Sequence, residues 1–213
     1  MKCDRKTLRL YAITDRTWVG KQTLMEQVES ALKGGATCIQ LREKQLDDSA
    51  FLAEAMAMKK LCQEYGVPFI VNDNADSAVK CQANGVHLGP GDLPPQNVRA
   101  LVGENMMIGV SARTVERAIQ AEKAGADYLG VGAVFTTTTK PDAHSVSHDI
   151  VKEICKAVSI PVVAIGGISR QNILELSGIG IAGVALVSTI FASEDIEMES
   201  RTLRMLSEKI ISA

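Results

Sequence analysis

The sequence predicts an α/β fold, a single-domain (βα)8 TIM barrel that extends over residues 1–213. Short apolar segments rich in β-branched residues occur eight times, and stretches with helical spacing separate them. The apolar segments show no alternation with polar residues, which is typical of parallel strands covered by helices. Eight such units in a chain of 213 residues favour a closed barrel. A doubly wound open sheet is the alternative.

Strand and helix alternate along the whole chain. The predicted strands are 8–14, 38–42, 68–72, 85–89, 107–111, 128–132, 162–166 and 183–188. The predicted helices are 23–33, 49–65, 76–83, 95–102, 114–124, 147–158, 170–176 and 196–211. A capping box formed by Thr23 and Glu26 marks the start of the first helix. The glycines predicted to end helices are Gly34, Gly66, Gly85, Gly103 and Gly125.

The composition excludes several classes of partner. With 23 basic and 25 acidic residues the formal net charge is -2, so no overall positive field attracts nucleic acid or an anionic membrane. The five cysteines are odd in number and contain no CxxC pair, which argues against a disulfide framework and a zinc site. A charged amino terminus is unlike a signal peptide, and the uncharged run 176–193 is Gly-rich core sequence rather than a membrane span. We therefore expect a cytoplasmic protein whose anion sites are local.

Basic side chains follow the second predicted strand at its carboxyl end. The segment 37–44, TCIQLREK, ends an apolar run with Gln40, Arg42, Glu43 and Lys44. Ligands of α/β barrels bind at the carboxyl ends of the strands, where these side chains would converge with those of other strands. A solvated strand end is the simpler interpretation of any single cation. The same polar ending on neighbouring strands favours a binding site.

Two carboxylates follow the next two strands. Asp73 lies after the third predicted strand and Asp92 after the fourth, and each alone is more often a turn residue. Beside Arg42 and Lys44, however, the pair has the composition of a Mg²⁺ site that shares its ion with substrate phosphates. The sequence therefore predicts Asp73 and Asp92 as Mg²⁺ ligands next to a diphosphate.

A second anion site is predicted at the last two strands. Gly166 and Gly167 join the seventh strand to its helix, and Val187 and Ser188 end the eighth. In barrels these loops often bind a phosphate through backbone N–H groups, although a plain turn also explains the glycine pair. The longest loop, 135–144, contains four threonines and a lysine and is predicted to close over a substrate. His87, within a strand, is expected to be a satisfied core residue.

One diphosphate site and one monophosphate site at the same barrel mouth predict that two phosphorylated small molecules are held together. Joining them is the natural reaction, because diphosphate becomes a good leaving group once cations neutralise its charge. The protein would supply positioning and electrostatic stabilisation rather than a nucleophile.

Seven motifs lie within about residues 10–192: YAITD, QLREK, PFIVND, GVHLG-x-x-D, GVSA, GADY-x-G-x-G-x-x-F-x-T-x-TK-x-DA and IP-x-VAIGGI. Together they resemble the thiamine-phosphate synthase family. The resemblance implies a transferase of thiamine biosynthesis that condenses 4-amino-2-methyl-5-(diphosphooxymethyl)pyrimidine with hydroxyethylthiazole phosphate. The products would be thiamine phosphate and diphosphate. The cofactor would be Mg²⁺.

The resemblance also assigns roles to individual residues. The pyrimidine diphosphate would contact Gln40, Leu41, Arg42, Glu43, Lys44, Asn72, Ser111 and Lys140, of which Arg42, Lys44, Ser111 and Lys140 are the catalytic candidates. The thiazole phosphate would contact Thr137, Thr138, Thr139, Gly167, Val187 and Ser188, while Asp73 and Asp92 match the metal ligands.

Two rival functions follow from the same scaffold. A thiazole tautomerase would act on the thiazole phosphate alone, but it has no diphosphate for the basic and acidic strand ends to hold. A non-catalytic sensor of thiamine phosphates would leave the metal and diphosphate residues unexplained. Formation of a homo-oligomer is left open.

Overall fold

The computed structural model describes residues 3–137 and 145–212 and contains a closed parallel barrel. Its eight strands pair in sequence order, and the last closes on the first. The strands are β1 (Leu10–Ile13), β2 (Cys38–Leu41), β3 (Phe69–Asn72), β4 (Gly85–Leu88), β5 (Met107–Ala112), β6 (Tyr128–Gly132), β7 (Val162–Ile165) and β8 (Gly183–Leu186). The predicted (βα)8 architecture is confirmed.

Helices surround the barrel and connect successive strands. The α-helices are α1 (Leu24–Lys33), α2 (Asp48–Glu64), α3 (Ala75–Lys80), α4 (Pro95–Val102), α5 (Val115–Lys123), α6 (His148–Ala157), α7 (Ser188–Phe191) and α8 (Ile196–Ser212). Short 3-10 helices occupy Arg5–Leu8, Arg16–Trp18 and Ile173–Leu176. Within the two described ranges, no helix combines the length and the apolar character needed to cross a membrane.

The core has two parts that follow from the period of two along each strand. In β1, Leu10 and Ala12 belong to the large apolar cluster between the strands and the surrounding helices. Tyr11 and Ile13 instead join a smaller cluster inside the barrel, together with Tyr128 of β6. Both tyrosines are only 1% exposed. The barrel interior therefore contains two aromatic side chains that carry a hydroxyl, packed among smaller apolar side chains.

The prediction for the region after β7 was wrong in two details. Instead of a helix over 170–176 there is one 3-10 turn, Ile173–Leu176. Asn172 Oδ1 accepts the N–H of Ser169 and Asn172 Nδ2 donates to the carbonyl of Gly167, so side-chain bonds to the backbone replace helical bonds at the start of the predicted helix. The eighth strand ends at Leu186 rather than residue 188, because Val187 leaves the extended conformation and Ser188 begins α7.

Gly85 was predicted to end the third helix, but it is the first residue of β4. The helix ends at Lys80, and Gln82 takes the left-handed position that the glycine was expected to occupy. A Cβ at position 85 would lie 2.6 Å from Ile70 Cδ1 and 2.7 Å from the carbonyl oxygen of Met107. Close approach of neighbouring strands, rather than a turn, therefore requires this glycine.

The predicted capping box at the start of α1 is confirmed. The backbone N–H of Glu26 donates to Thr23 Oγ1 at 3.3 Å, and the backbone N–H of Thr23 donates to Glu26 Oε2 at 2.7 Å. Each bond satisfies an N–H group that has no acceptor within the helix.

Removal of this cap should destabilise the protein. Thr23→Ala is expected to lower the free energy of unfolding by about 1 kcal/mol, the usual effect of losing a side-chain N-cap. Denaturant titration of the variant and of Thr23→Ser, which keeps the hydroxyl, measures it. Equal losses in both variants would contradict the capping role.

Candidate active site

A cavity of about 420 Å³ opens at the carboxyl ends of the strands, and every strand contributes to its wall. The sequence-predicted residues that line it are Gln40, Arg42, Lys44, Asn72, Asp73, Asp92, Ser111, Thr137, Gly167, Val187 and Ser188. Thr138, Thr139 and Lys140 lie outside the described residues. Closure of the barrel thus brings most of the predicted site to one place.

The side chains of Leu41 and Glu43 do not line the cavity. Leu41 is fully buried in the cluster between barrel and helices. The Glu43 carboxylate pairs with Arg16 and accepts the backbone N–H groups of Lys44 and Gln45, both at 2.8 Å. These bonds shape the turn after β2, so Glu43 sets the position of Lys44.

Cations on two loops face the cavity. The backbone N–H of Arg42 donates to Thr14 Oγ1 at 3.0 Å, and its guanidinium lies 3.5 Å from Asp15 Oδ2. Lys44 lies close enough to Asp73 to favour its ionised form. Arg113, directly after β5, also lines the cavity and was not among the predicted residues. Its signal in the sequence was the same as that of Arg42, a basic residue at a strand end.

The two predicted metal ligands lie side by side. Gly89 N–H donates to Asp92 Oδ2 at 2.6 Å, and Asp73 N–H donates to the carbonyl of His87 at 2.9 Å. Asp73 adopts a left-handed backbone with φ 64°, which is uncommon outside glycine and occurs most readily for Asn and Asp. Partial desolvation, together with the adjacent Asp92 carboxylate, raises the pKa of Asp73 from 3.8 to about 6.

This pair fits a divalent cation. Two carboxylates in contact repel each other, and an ion between them relieves the repulsion that raises the pKa of Asp73. In the part of the chain that the structure describes, no group of three or more His, Cys, Asp or Glu residues could hold a metal. Mg²⁺ commonly takes one or two protein carboxylates and completes its shell with water and phosphate oxygens. The donor set therefore suits Mg²⁺ better than a metal that needs four protein ligands.

Left-handed glycines form the opposite wall, after β7. Gly166 and Gly167 have φ values of 99° and 67°. The Asn172 amide donates to the carbonyl of Gly167 at 2.9 Å and its oxygen accepts the N–H of Ser169 at 2.8 Å, which fixes the loop. A Cβ at position 167 would also lie 2.3 Å from the carbonyl oxygen of Thr136. Glycine is thus required here for loop packing, independently of any ligand.

Val187 and Ser188, predicted to bind a phosphate after β8, lie at the start of a short helix. α7 begins at Ser188, and the N–H groups in the first turn of a helix take acceptors from outside the helix. Thr189 Oγ1 donates to the carbonyl of Ile168 at 2.5 Å and ties this turn to the loop after β7. Backbone from two neighbouring strands therefore borders this side of the cavity.

A line of buried and partly buried hydrogen bonds crosses the cavity floor. Gln40 Nε2 donates to Tyr11 Oη at 2.7 Å, and the hydroxyls of Tyr11 and Tyr128 are 2.8 Å apart. Tyr128 Oη lies 3.1 Å from His87 Nδ1, and His87 Nε2 lies 3.1 Å from Ser111 Oγ. Burial lowers the pKa of His87 to about 4, so the ring is neutral near pH 7.

His87 is satisfied, as the sequence predicted, but it also lines the cavity and contacts a predicted site residue. Tyr11 and Tyr128 were missed as neighbours of the site. Each stands in the first part of an apolar strand, and only the barrel brings strands one and six together across its interior.

A profile described as thiamine monophosphate synthase matches residues 10–190. The chain belongs to this family. A thiamine-phosphate synthase of Clostridium botulinum is 45% identical over 201 residues, which cover 94% of each chain. One of Ruminiclostridium cellulolyticum is 46% identical over 194 residues, or 91% of this chain and 92% of the relative.

A solved structure of a relative agrees with the barrel described above. The thiamine phosphate pyrophosphorylase from Pyrococcus furiosus superimposes with a TM-score of 0.90 at 38% identity and covers 97% of this chain and 98% of its own. The resemblance stated from the motifs is thereby confirmed.

The raised pKa of Asp73 predicts a pH-dependent gain in stability for Asp73→Asn in the metal-free protein. Because the folded-state pKa lies above 3.8, the stabilising contribution of Asp73 is complete below about pH 3.8 and is lost as pH rises through about 6. Asparagine stays neutral and tolerates the left-handed backbone. In EDTA, the midpoint temperature of thermal unfolding should therefore be higher for Asp73→Asn than for wild type at pH 8. The difference between the two midpoints should vanish near pH 4.

The matched control is Asp76→Asn, which removes a carboxylate three residues away that does not line the cavity. It should give no gain at pH 8. A lower midpoint for Asp73→Asn than for wild type at pH 8 would show that the two carboxylates do not repel each other in the folded protein.

Proposed function

We propose that this chain is a Mg²⁺-dependent thiamine-phosphate synthase. It would join 4-amino-2-methyl-5-(diphosphooxymethyl)pyrimidine to hydroxyethylthiazole phosphate and release diphosphate. The observation that carries the proposal is one cavity with two different walls. Carboxylates and cations occupy the β2 to β5 side, and glycine-rich backbone occupies the β7 to β8 side. Two anions of different charge can be held there at once.

The first wall suits a diphosphate. Arg42 and Lys44 offer positive charge, and Ser111 offers a hydroxyl across the cavity. We assign Asp73 and Asp92 as the residues that would hold Mg²⁺. When bound, the ion would neutralise charge that develops on the departing diphosphate. Lys140, which the structure does not describe, is proposed from the family motif as a further cation on the loop.

The second wall suits a monophosphate. The proposed contacts are the backbone at Gly167, Val187 and Ser188 and the side chain of Thr137. Thr138 and Thr139, outside the described residues, complete the proposed set. Neutral donors on this wall match a group that stays intact, whereas the charged wall matches the group that leaves.

The reaction needs no protein nucleophile. The carbon–oxygen bond between the pyrimidine methylene and the diphosphate breaks, and the diphosphate keeps the electron pair. The thiazole nitrogen supplies its lone pair to the methylene carbon and forms the new carbon–nitrogen bond. The task of the chain is to hold both substrates in line and to stabilise the leaving charge.

The cellular setting is proposed from the thiols. None of the five cysteines is paired, and four of them are buried. Their free state supports a reducing compartment, and we propose the cytoplasm.

The test of this function is an assay with both substrates, with and without Mg²⁺. Thiamine phosphate and diphosphate should appear in equal amounts, and EDTA should stop their formation. Isomerisation of a thiazole phosphate without the pyrimidine substrate would indicate a tautomerase instead. Tight binding of thiamine phosphate without any turnover would indicate a sensor.

Asp92→Asn tests the metal assignment directly. Because one of two carboxylates is lost, the Mg²⁺ concentration for half-maximal rate should rise about tenfold or more, with a folded protein by circular dichroism. Asp76→Asn, outside the cavity, serves as the control. An unchanged Mg²⁺ dependence in Asp92→Asn would refute the assignment.

A further inference from the structure

The buried hydrogen bonds on the cavity floor connect two proposed substrate-binding residues, Gln40 and Ser111, through Tyr11, Tyr128 and His87. We propose that these three intervening residues are positioning residues: they fix the Ser111 hydroxyl as a hydrogen-bond donor that points into the cavity. The identity of the acceptor there, a diphosphate oxygen, rests on the proposed function.

The donor-to-acceptor direction of these hydrogen bonds is fixed first at Gln40. Its amide nitrogen can only donate, so Tyr11 Oη accepts from it. Tyr11 is 1% exposed, and its own proton needs an acceptor because an unsatisfied buried hydroxyl is costly. Tyr128 Oη lies 2.8 Å away; the thiol of Cys38 is also adjacent, but sulfur is a weak acceptor. Tyr11 therefore donates to Tyr128.

The same argument continues to Ser111. Having accepted from Tyr11, Tyr128 directs its proton to its remaining partner, His87 Nδ1. That nitrogen must then be unprotonated, so the ring carries its proton on Nε2 and donates to Ser111 Oγ. The serine oxygen is now an acceptor towards His87. Its own proton is left to point away from the ring, into the cavity that Ser111 lines.

Ionisation of the tyrosines does not reverse the donor-to-acceptor direction near neutral pH. Burial raises the pKa values of Tyr11 and Tyr128 well above 10.0, so both keep their protons. Each tyrosine hydroxyl thus accepts one hydrogen bond and donates one.

The backbone is shaped around the two rings. A Cβ at Gly109 of β5 would lie 2.1 Å from Tyr128 Cζ and 2.5 Å from His87 Nδ1. A Cβ at Gly130 of β6 would lie 3.1 Å from His87 Cε1. Glycine on both strands leaves the space in which the Tyr128–His87 hydrogen bond forms, which is independent support for a built contact.

The direction matters because a serine hydroxyl can turn. If His87 Nε2 were unprotonated, Ser111 would donate to it and present only lone pairs to the cavity. Lone pairs repel a diphosphate oxygen, whereas an O–H group stabilises the charge that grows on it as the bond breaks. The three positioning residues would thus convert a hydroxyl of free orientation into a preorganised donor.

Two substitutions of His87 separate this role from packing. In His87→Gln the amide nitrogen can take the place of Nε2 and still donate to Ser111. In His87→Asn the shorter amide takes the place of Nδ1, and Ser111 loses its donor. We expect kcat of His87→Gln to be about tenfold higher than that of His87→Asn, with similar thermal midpoints and an unchanged KM for the thiazole phosphate.

A double-mutant cycle tests the route through Tyr128. Tyr128→Phe should lower kcat, and combining it with Ser111→Ala should cost no more than Ser111→Ala alone, because both changes remove the same donor. Equal kcat in His87→Gln and His87→Asn, or losses that multiply in the double variant, would overturn the proposal.

A measurement without substrates keeps the positioning role separate from the proposed function. If wild type makes no thiamine phosphate, the proposed function fails. NMR of the His87 ring nitrogens then still decides the positioning role. A proton on Nε2 supports that role, and a proton on Nδ1 refutes it.

Discussion

Closure of the parallel barrel is the constraint on which the rest of the molecule depends. Because all eight strands run in the same direction and pair in sequence order, their carboxyl ends meet at one rim. Residues separated by more than one hundred positions, such as Arg42 and Gly167, thereby line the same cavity. The strands are short, four to six residues each, so a polar residue directly after a strand is already at the rim.

The barrel interior adds a second constraint. Side chains that point inward must fill the space below the cavity, and Tyr11 and Tyr128 do so with large rings that carry a polar tip. A buried hydroxyl needs a partner: Tyr11 and Tyr128 bond to each other, and Tyr128 also bonds to His87, which lines the cavity. The same side chains therefore fill the barrel interior and orient the polar groups of the cavity. Gly109 leaves the space that Tyr128 and His87 need for this.

Charge is distributed unevenly around the rim. Asp73 and Asp92 stand against each other, and in the absence of a cation their repulsion opposes stability at neutral pH. Lys44 lies near enough to offset part of this repulsion. The opposite wall consists of glycine backbone held by Asn172. The site therefore has a charged wall whose repulsion a bound cation would relieve and, opposite it, a neutral wall of hydrogen-bonded loop backbone.

The sequence by itself determined the barrel, the order of its elements, the family and most of the rim residues, because strand periodicity, helix caps and polar strand ends are local signals. It also indicated the capping box of Thr23 and the carboxylate pair. Tertiary structure alone decided that Leu41 and Glu43 face away from the cavity, that Gly85 starts a strand, and that one turn replaces the helix at 170–176. It alone joined Gln40 to Ser111 through Tyr11, Tyr128 and His87. The line from Gln40 to Ser111 depends on which strands face each other across the barrel, and the glycine at position 85 depends on how closely neighbouring strands approach. Neither can be read from the spacing of residues along the chain.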